Sequence, residues 1–287
     1  MADNGDTPMT LSSFSSIQAG QSVSLIGASQ TQNITQISGG TVSGQSMNTP
    51  DVNGVNGVLR YGTAVPVVPT AIQFTTPRSS VAWTDGQNAQ TVACGSQSCA
   101  MSSGAAIGVL VNPTGPGWNF QTFAYWLAIT GFPANIVGNI SAGRPTPAGS
   151  IPGTGASLGY NGFSGGIYVD PNGILQEHAA TMAAIVDPVN GTVSFTTSGT
   201  TIRAWNSAGI PITAALDITG VLTFAPGSNR FTGTVTIGNT TATLLTGTAD
   251  GEFFGPNAEE IGGTITLTSN SGGGSVESMT GAFGGKR

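Results

Sequence analysis

The sequence predicts an all-β protein of two units, the second an eight-stranded antiparallel barrel, and three observations lead there. Helical periodicity is almost absent. Short alternating segments recur from one end to the other between clusters of Gly, Asn, Asp and Pro, so the 44 glycines read as turns. The clearest segments carry threonine ladders: Phe231, Gly233, Val235 and Ile237 alternate with Thr232, Thr234 and Thr236, and Ile261, Gly263, Ile265 and Leu267 with Thr264, Thr266 and Thr268. One face of each is apolar, and the hydroxyl face is expected to meet water. With no outward Leu or Phe and no aromatic girdle, these strands suit a water-soluble barrel and not an outer-membrane pore.

In chain order, probable strands lie around Val23–Leu25, Gly57–Tyr61, Ala71–Phe74, Val81–Trp83 and Ile107–Val111. They form a first β unit over residues 1–140. It ends in the aromatic run WNFQTFAYW, whose Trp118, Phe120, Phe123, Tyr125 and Trp126 alternate imperfectly, as in a core strand or a seam between units. Trp118, Tyr125 and Trp126 are also candidate ligand contacts, since aromatic rings bring a large contact area. Residues 141–155 are rich in Pro and Gly without alternation and read as a linker. Residues 156–287 then read as about eight strands, enough to close a barrel. They are punctuated by Asp170-Pro171-Asn172-Gly173, Asp187-Pro188-Val189-Asn190-Gly191, Ser198-Gly199, Ala208-Gly209, Pro226-Gly227, Gly238-Asn239 and Gly272–Gly274.

Composition narrows the function. Only 7% of residues are charged, so the solvated surface must be built from neutral hydroxyls and amides. The net charge is −6, and the basic residues are six scattered arginines plus Lys286; no cluster can neutralise a run of phosphates, so nucleic acid is excluded as an expected partner. No apolar stretch approaches the ~18 residues of a membrane-spanning helix. Cys94 and Cys99 flank Gly-Ser-Gln-Ser, a spacing that suits a disulfide closing a hairpin in an oxidising compartment; a metal pair lacks a second pair of ligands. Met1–Thr10 has no basic start followed by an apolar core, so the signal segment is expected to be absent from this chain.

Near the end stands TADGEFFGPNAEEIGGTITL, then GAFGGKR. Gly251 and Gly255 permit tight bends around Phe253 and Phe254, Pro256 starts a turn, and Gly262-Gly263 lets the next strand pass close under a large inward side chain. With these residues the chain resembles the transferrin-binding-protein-B-like family of bacterial surface and secreted solute-binding proteins. The matching positions are Gly251, Phe253, Phe254, Gly255, Pro256, Ala258, Glu260, Gly262, Gly263 and the closing Gly281–Arg287, with WNFQTFAYW and GRPTPAGSIPGTG similar to family segments upstream. The resemblance implies a β-rich handle followed by an eight-stranded barrel. It also implies a non-enzymatic protein, extracellular or on the outer membrane, that captures a solute or host component for iron- or haem-type nutrient acquisition. Delivery by an outer-membrane translocator that recognises the barrel goes with it. The other reading is a surface adhesion module that grips another protein. Two departures from the family pattern stand out: the first cysteine of this sequence is Cys94 and not an N-terminal one of the kind that carries lipid in surface-anchored members, and one handle with one barrel is expected to make a single lobe.

The chemistry-bearing residues are few. His178 is the only histidine; it reads first as a solvated residue after the Asp170–Gly173 turn and second, with Met182, as a haem ligand. No cofactor and no metal are otherwise expected. Glu259 and Glu260 point to opposite faces of an extended strand and cannot act as an acid–base pair. Glu260 is expected to accept hydrogen bonds from turn amides or to pair with a rim cation such as Arg287. Without a G-x-S-x-G turn or a second histidine, no nucleophilic triad can be assembled. The inventory points to a binding protein whose ligand sits at the handle or the barrel rim, because the barrel interior is stocked with Phe, Ile and Leu.

Overall fold

A computed structural model describes residues 9–34, 37–38, 41–51, 53–129, 135–151, 153, 155–204, 209–238, 245–269 and 277–287. The first half contains β1 (Met9–Thr10), β2 (Ser22–Ile34), β3 (Ile37–Ser38), β4 (Thr41–Val42), β5 (Gln45–Met47), β6 (Asn56–Tyr61) and β7 (Pro69–Thr75). It continues through β8 (Ser80–Thr84), β9 (Thr91–Cys94), β10 (Ser98–Ser102), β11 (Ala106–Val111), β12 (Gln121–Ala128) and β13 (Asn135–Gly143). The second half contains β14 (Leu158–Val169), β15 (Leu175–Asp187), β16 (Thr192–Ala204), β17 (Ile212–Thr213), β18 (Ile218–Thr223), β19 (Arg230–Ile237), β20 (Leu245–Phe254), β21 (Glu260–Ser269) and β22 (Ser278–Lys286).

The second half closes on itself. Its order is β15-β14-β22-β21-β20-β19-β18-β16, and β16 pairs back with β15, so eight antiparallel strands form a barrel; β17 adds to β16. The strand β19 alternates as an amphipathic strand must, with Phe231, Val235 and Ile237 buried and Thr232 and Thr234 exposed. Inward residues plug the barrel: Phe195 and Phe283 sit 4.8 Å apart, and Phe253 meets Phe224 at 5.4 Å and Phe231 at 5.2 Å. Glycine makes room for these rings. A Cβ on Gly251 would lie 2.2 Å from the Phe231 ring, and one on Gly263 would lie 2.7 Å from that of Phe283.

The first half forms an 11-stranded sheet in the order β8-β7-β6-β2-β13-β12-β11-β10-β9, with β1 and β5 added to β2. It curls into a nearly closed barrel around Phe14, Phe74, Trp83, Leu110 and Trp126. Its two ends are tied by side chains: Val92 donates its amide to Asp85 Oδ1 at 3.2 Å, and Trp83 Nε1 donates to the Ala106 carbonyl at 3.1 Å.

Several local expectations change. The turn at Asp170 forms, with Oδ1 accepting from the amides of Asn172 and Ile174, and so does that at Asp187, which accepts from Val189 and Asn190. Ser198-Gly199 is not a turn but part of β16, where Gly199 (φ +65) marks a bulge opposite Ala179–Thr181. The extra residue is absorbed by a local kink without ending the strand. β13 runs on through Gly143, so residues 141–143 are strand, held by pairing with β2 and β12. Ala208, Asn239, Gly272–Gly274, Pro152 and Thr154, named above in turns and linker, lie outside the described residues.

The largest correction concerns the threonine face of β21. Thr264 is 2% exposed because β2, β12 and β13 pack over the outer faces of β21 and β22. A hydroxyl row is as compatible with a neutral polar neighbour as with water, and here it meets one: Asn139 Nδ2 donates to Thr280 Oγ1 at 2.6 Å, and Gln32 Nε2 to Ser278 Oγ at 3.2 Å.

Candidate functional site

The contact between the two sheets begins with β12, which is buried along its whole length. Successive side chains of a strand face opposite ways, so Ala124, Trp126 and Ala128 enter the first core while Tyr125 and Leu127 face β14 and β15 alongside Ile167, Val169 and Leu175. Trp126 stacks on Phe74 at 5.7 Å, and a Cβ on Gly138 would lie 2.2 Å from its ring, so that position must be glycine.

Glu260 fastens the two sheets. Its Oε1 accepts from the Asn119 amide at 2.6 Å, and Oε2 accepts from Phe120 and Gln121 at 2.9 Å each. Burial pushes the carboxyl above its usual range while the three amides pull it down. Beside it, Gly262 and Gly284 face one another across β21 and β22 and leave a dent in the barrel wall. A Cβ on Gly284 would lie 2.3 Å from Gln121 Nε2, and one on Gly262 would lie 2.4 Å from Ser141 Oγ, so both first-half side chains occupy the dent. Residues 144–146 complete the seam: the Gly255 amide donates to the Arg144 carbonyl at 2.8 Å and the Thr146 amide to the Phe253 carbonyl at 2.9 Å.

Where the sheets diverge, a groove of about 550 Å³ opens between β11–β12 and β14–β16, walled by Val109, Val111, Phe123, Tyr125 and Phe163. It runs on past Phe163 and Thr181 into a chamber of about 460 Å³ bounded by Trp118, Met182 and Lys286. At its other end, past Tyr125 and Arg203, a recess of about 250 Å³ is bounded by Glu177, His178 and Pro211. Glu177 and Arg203 stand directly opposite in the β15–β16 register and form an ion pair. The Tyr125 hydroxyl hydrogen-bonds the Glu177 carboxylate, and burial together with that neighbouring charge pushes the phenol far above its usual range. Phe163, by contrast, is 42% exposed on the groove wall. The groove is an aromatic-walled trough with a cation at each end, a shape suited to holding a ligand.

Of the residues read as ligand contacts, Tyr125 lines the groove, Trp118 borders the chamber that continues it, and Trp126 lies in the first core, away from both. His178 is buried at 2% exposure and not solvated, because it falls inside β15 and points into the barrel. Its ring lies over Gly166 and Gly281, with Nε2 3.3 Å from the Thr280 carbonyl oxygen. Burial lowers its pKa from 6.5 to about 4, against the pull of that carbonyl, so the ring is neutral at pH 7. A haem iron needs a ring nitrogen that faces an opening; Nε2 is turned to a backbone carbonyl and does not offer one. Among the described residues no group of three or more His, Cys, Asp or Glu could hold a metal.

Cys94 and Cys99 are bonded and stand opposite in the β9–β10 hairpin. Of the signature residues, Gly255 takes φ +88 beneath the Phe120 ring, Pro256 leads the turn into β21, and Arg287 donates to the Asn257 carbonyl at 2.7 Å and not to Glu260. Sequence reasoning missed Phe163, Glu177 and Arg203. The one available signal was their placement on adjacent strands of a hairpin series, which yields their proximity only once the register is known.

Residues 154–287 match the family model described as the C-lobe and N-lobe beta barrels of Tf-binding protein B. Among solved structures, a tryptophan-to-alanine mutant of the vaccine antigen Transferrin Binding Protein B from Haemophilus parasuis Hp5 is 14% identical with a TM-score of 0.48, over 90% of this chain and 60% of that one. Isotype 1 Transferrin binding protein B from serogroup B Neisseria meningitidis is 15% identical with a TM-score of 0.40, over 88% and 57%. The present chain therefore spans about 60% of the length of these structures. No curated protein matches it.

Proposed function

We propose, for a chain whose residues 154–287 match the model of the Tf-binding protein B beta barrels, a non-enzymatic role as a bacterial surface or secreted protein that captures a solute or host component for nutrient acquisition. The observation that carries the proposal is the groove between the sheets. The barrel interior is filled by Phe195, Phe231, Phe253 and Phe283, so a ligand has to bind outside it. The trough along Phe123, Tyr125 and Phe163 offers concavity, aromatic area and charge together. Surface exposure and delivery by an outer-membrane translocator are part of the same reading, and they rest on the family.

Mass spectrometry of the protein purified from a secreting bacterium, beside Thr181→Trp, tests it. Thr181 is exposed and lines both the groove and the chamber, so tryptophan there obstructs the trough without entering a core. The native protein is expected to release on denaturation a bound component that the variant lacks; identical contents in the two would remove the groove from the function.

A second reading, an adhesion module, is favoured by one surface. Ile185, Ser194 and Val221 lie side by side across β15, β16 and β18, and the two apolar residues are 56% and 58% exposed. Val189, at 72%, caps the same hairpin. Such a patch on a face of short hydroxyl side chains suits contact with another protein.

A further inference from the structure

We propose that the groove takes an elongated apolar monocarboxylate, with its carboxylate on Lys286 and its hydrocarbon along Trp118, Phe163 and Phe123; this rests on the reading of the groove as the binding site. The two cations of the trough differ in what they have left to offer. Arg203 has its charge cancelled by Glu177, which is 6% exposed and also holds the Tyr125 hydroxyl. Lys286 has no ion pair among the described residues: its Nζ reaches only the Gly117 carbonyl, at 3.4 Å and in an exposed setting. Glu260, a carboxylate that feels the charge of Lys286, has its oxygens taken up by three backbone amides. An ammonium group with spare donors, at the mouth of an apolar chamber, is complementary to one anionic head on an apolar body.

The walls set the rest of the ligand. From Lys286 the chamber is bounded by Trp118 and Phe163, whose rings are 6.4 Å apart, and the trough continues past Phe123 and Val109. Trp118 is fixed from behind by Phe123 at 5.9 Å, so this wall is preorganised. Gly165 keeps the trough deep beside Tyr125, because a Cβ there would lie 3.2 Å from the tyrosine ring. A linear chain can lie along these faces, and a second charge at its far end would meet the neutralised Glu177–Arg203 pair and gain little. A single-headed carboxylate is the matching chemistry.

Calorimetric titration with dodecanoate below its micelle concentration, against dodecyltrimethylammonium of equal chain length, tests the proposal on the intact chain. Saturable one-to-one binding of dodecanoate is expected, at least tenfold tighter than the ammonium. Lys286→Met keeps the aliphatic stem and should abolish that tenfold preference, while Thr181→Trp should weaken both ligands at least tenfold. Circular dichroism of each variant establishes that it is folded. Equal binding of the two head groups by the native protein, no saturable binding, or binding untouched by Thr181→Trp would overturn the proposal. If Thr181→Trp removes the component captured in the bacterium while dodecanoate does not bind, the groove stands as the site and this ligand class falls.

Discussion

Two buried residues carry charge or the capacity for it in unlike ways. Glu260, 2% exposed, meets three amides from the segment 119–121 that no strand partner could otherwise satisfy at that point. Glu260→Gln keeps the shape, but it replaces a carboxylate that accepts three bonds by an amide whose NH₂ must face an N–H. We expect a loss of about 3 kcal/mol in urea unfolding, from charge-assisted bonds of roughly 1.5–3 kcal/mol each, partly replaced; a loss below about 1 kcal/mol would show that the clamp matters little. His178 works through pH. Below pH 6.5 the unfolded chain binds a proton that the folded chain refuses until about pH 4, so stability from this group is present above 6.5 and is lost as pH falls across that window. A difference of about 2.5 units corresponds to roughly 3 kcal/mol. Glu252 and Glu260, raised by burial, act in the opposite sense as pH falls, so the contribution is read as a difference between proteins. His178→Gln should have a flatter stability profile between pH 6.5 and 4 than the native chain, and parallel profiles would refute the assignment.

At the scale of elements, the β9–β10 hairpin is held by the Cys94–Cys99 bond, a sequence separation of 5. Closing so short a loop restricts the unfolded chain only a little, about 2 kcal/mol in the chain-entropy model. Cys94→Ser with Cys99→Ser should therefore lower unfolding free energy by about that much and leave the circular dichroism spectrum unchanged. A loss of the fold would mean the hairpin depends on the bond. Legibility in the sequence followed the number of wet faces. β19 could be read because one face meets water and alternation marks it, and the hairpin turns at Asp170 and Asp187 carry their own hydrogen-bond acceptors. β13 and β21 could not be read as fully, since both of their faces are covered and the covering partner lies more than a hundred residues away. Thr264 shows why: a hydroxyl in an alternating strand states that its neighbour is polar, not whether that neighbour is solvent or Asn, Gln and Ser from another sheet. The groove was half legible for the same reason. Trp118 and Tyr125 stood out as aromatics, whereas Phe163, Glu177 and Arg203 become neighbours only through the pairing of three strands.

At the scale of the whole molecule, two sheets with separate cores are joined where the barrel wall is shaped to receive the other sheet. The seam is neutral and polar over much of its area, so little apolar burial drives it there; Gln30, Gln32, Asn139, Ser141 and Ser278 are all buried in it. Shape and the Glu260 bonds must then do the positioning, and the dent at Gly262 and Gly284 is where shape can be altered without touching either core. Both glycines sit on the outer face of the barrel, where Gln121 and Ser141 enter. Gly284→Leu would put a branched side chain where Gln121 now lies, displacing an amide that is fully buried and that carries the last residue bonded by Glu260. The barrel interior is untouched, so its own unfolding should change little, while the seam and the groove beside it should open. Limited proteolysis in the 144–155 segment is expected to speed up at least tenfold, and small-angle scattering should report a larger radius of gyration. Gly284→Ala, which also forces the Gln121 amide to move but adds far less bulk, should fall between the native protein and the leucine variant. If Gly284→Leu leaves both proteolysis and radius unchanged, the sheets are held by something other than the fit of glycine to glutamine, and the rigidity claimed for the groove loses its physical basis.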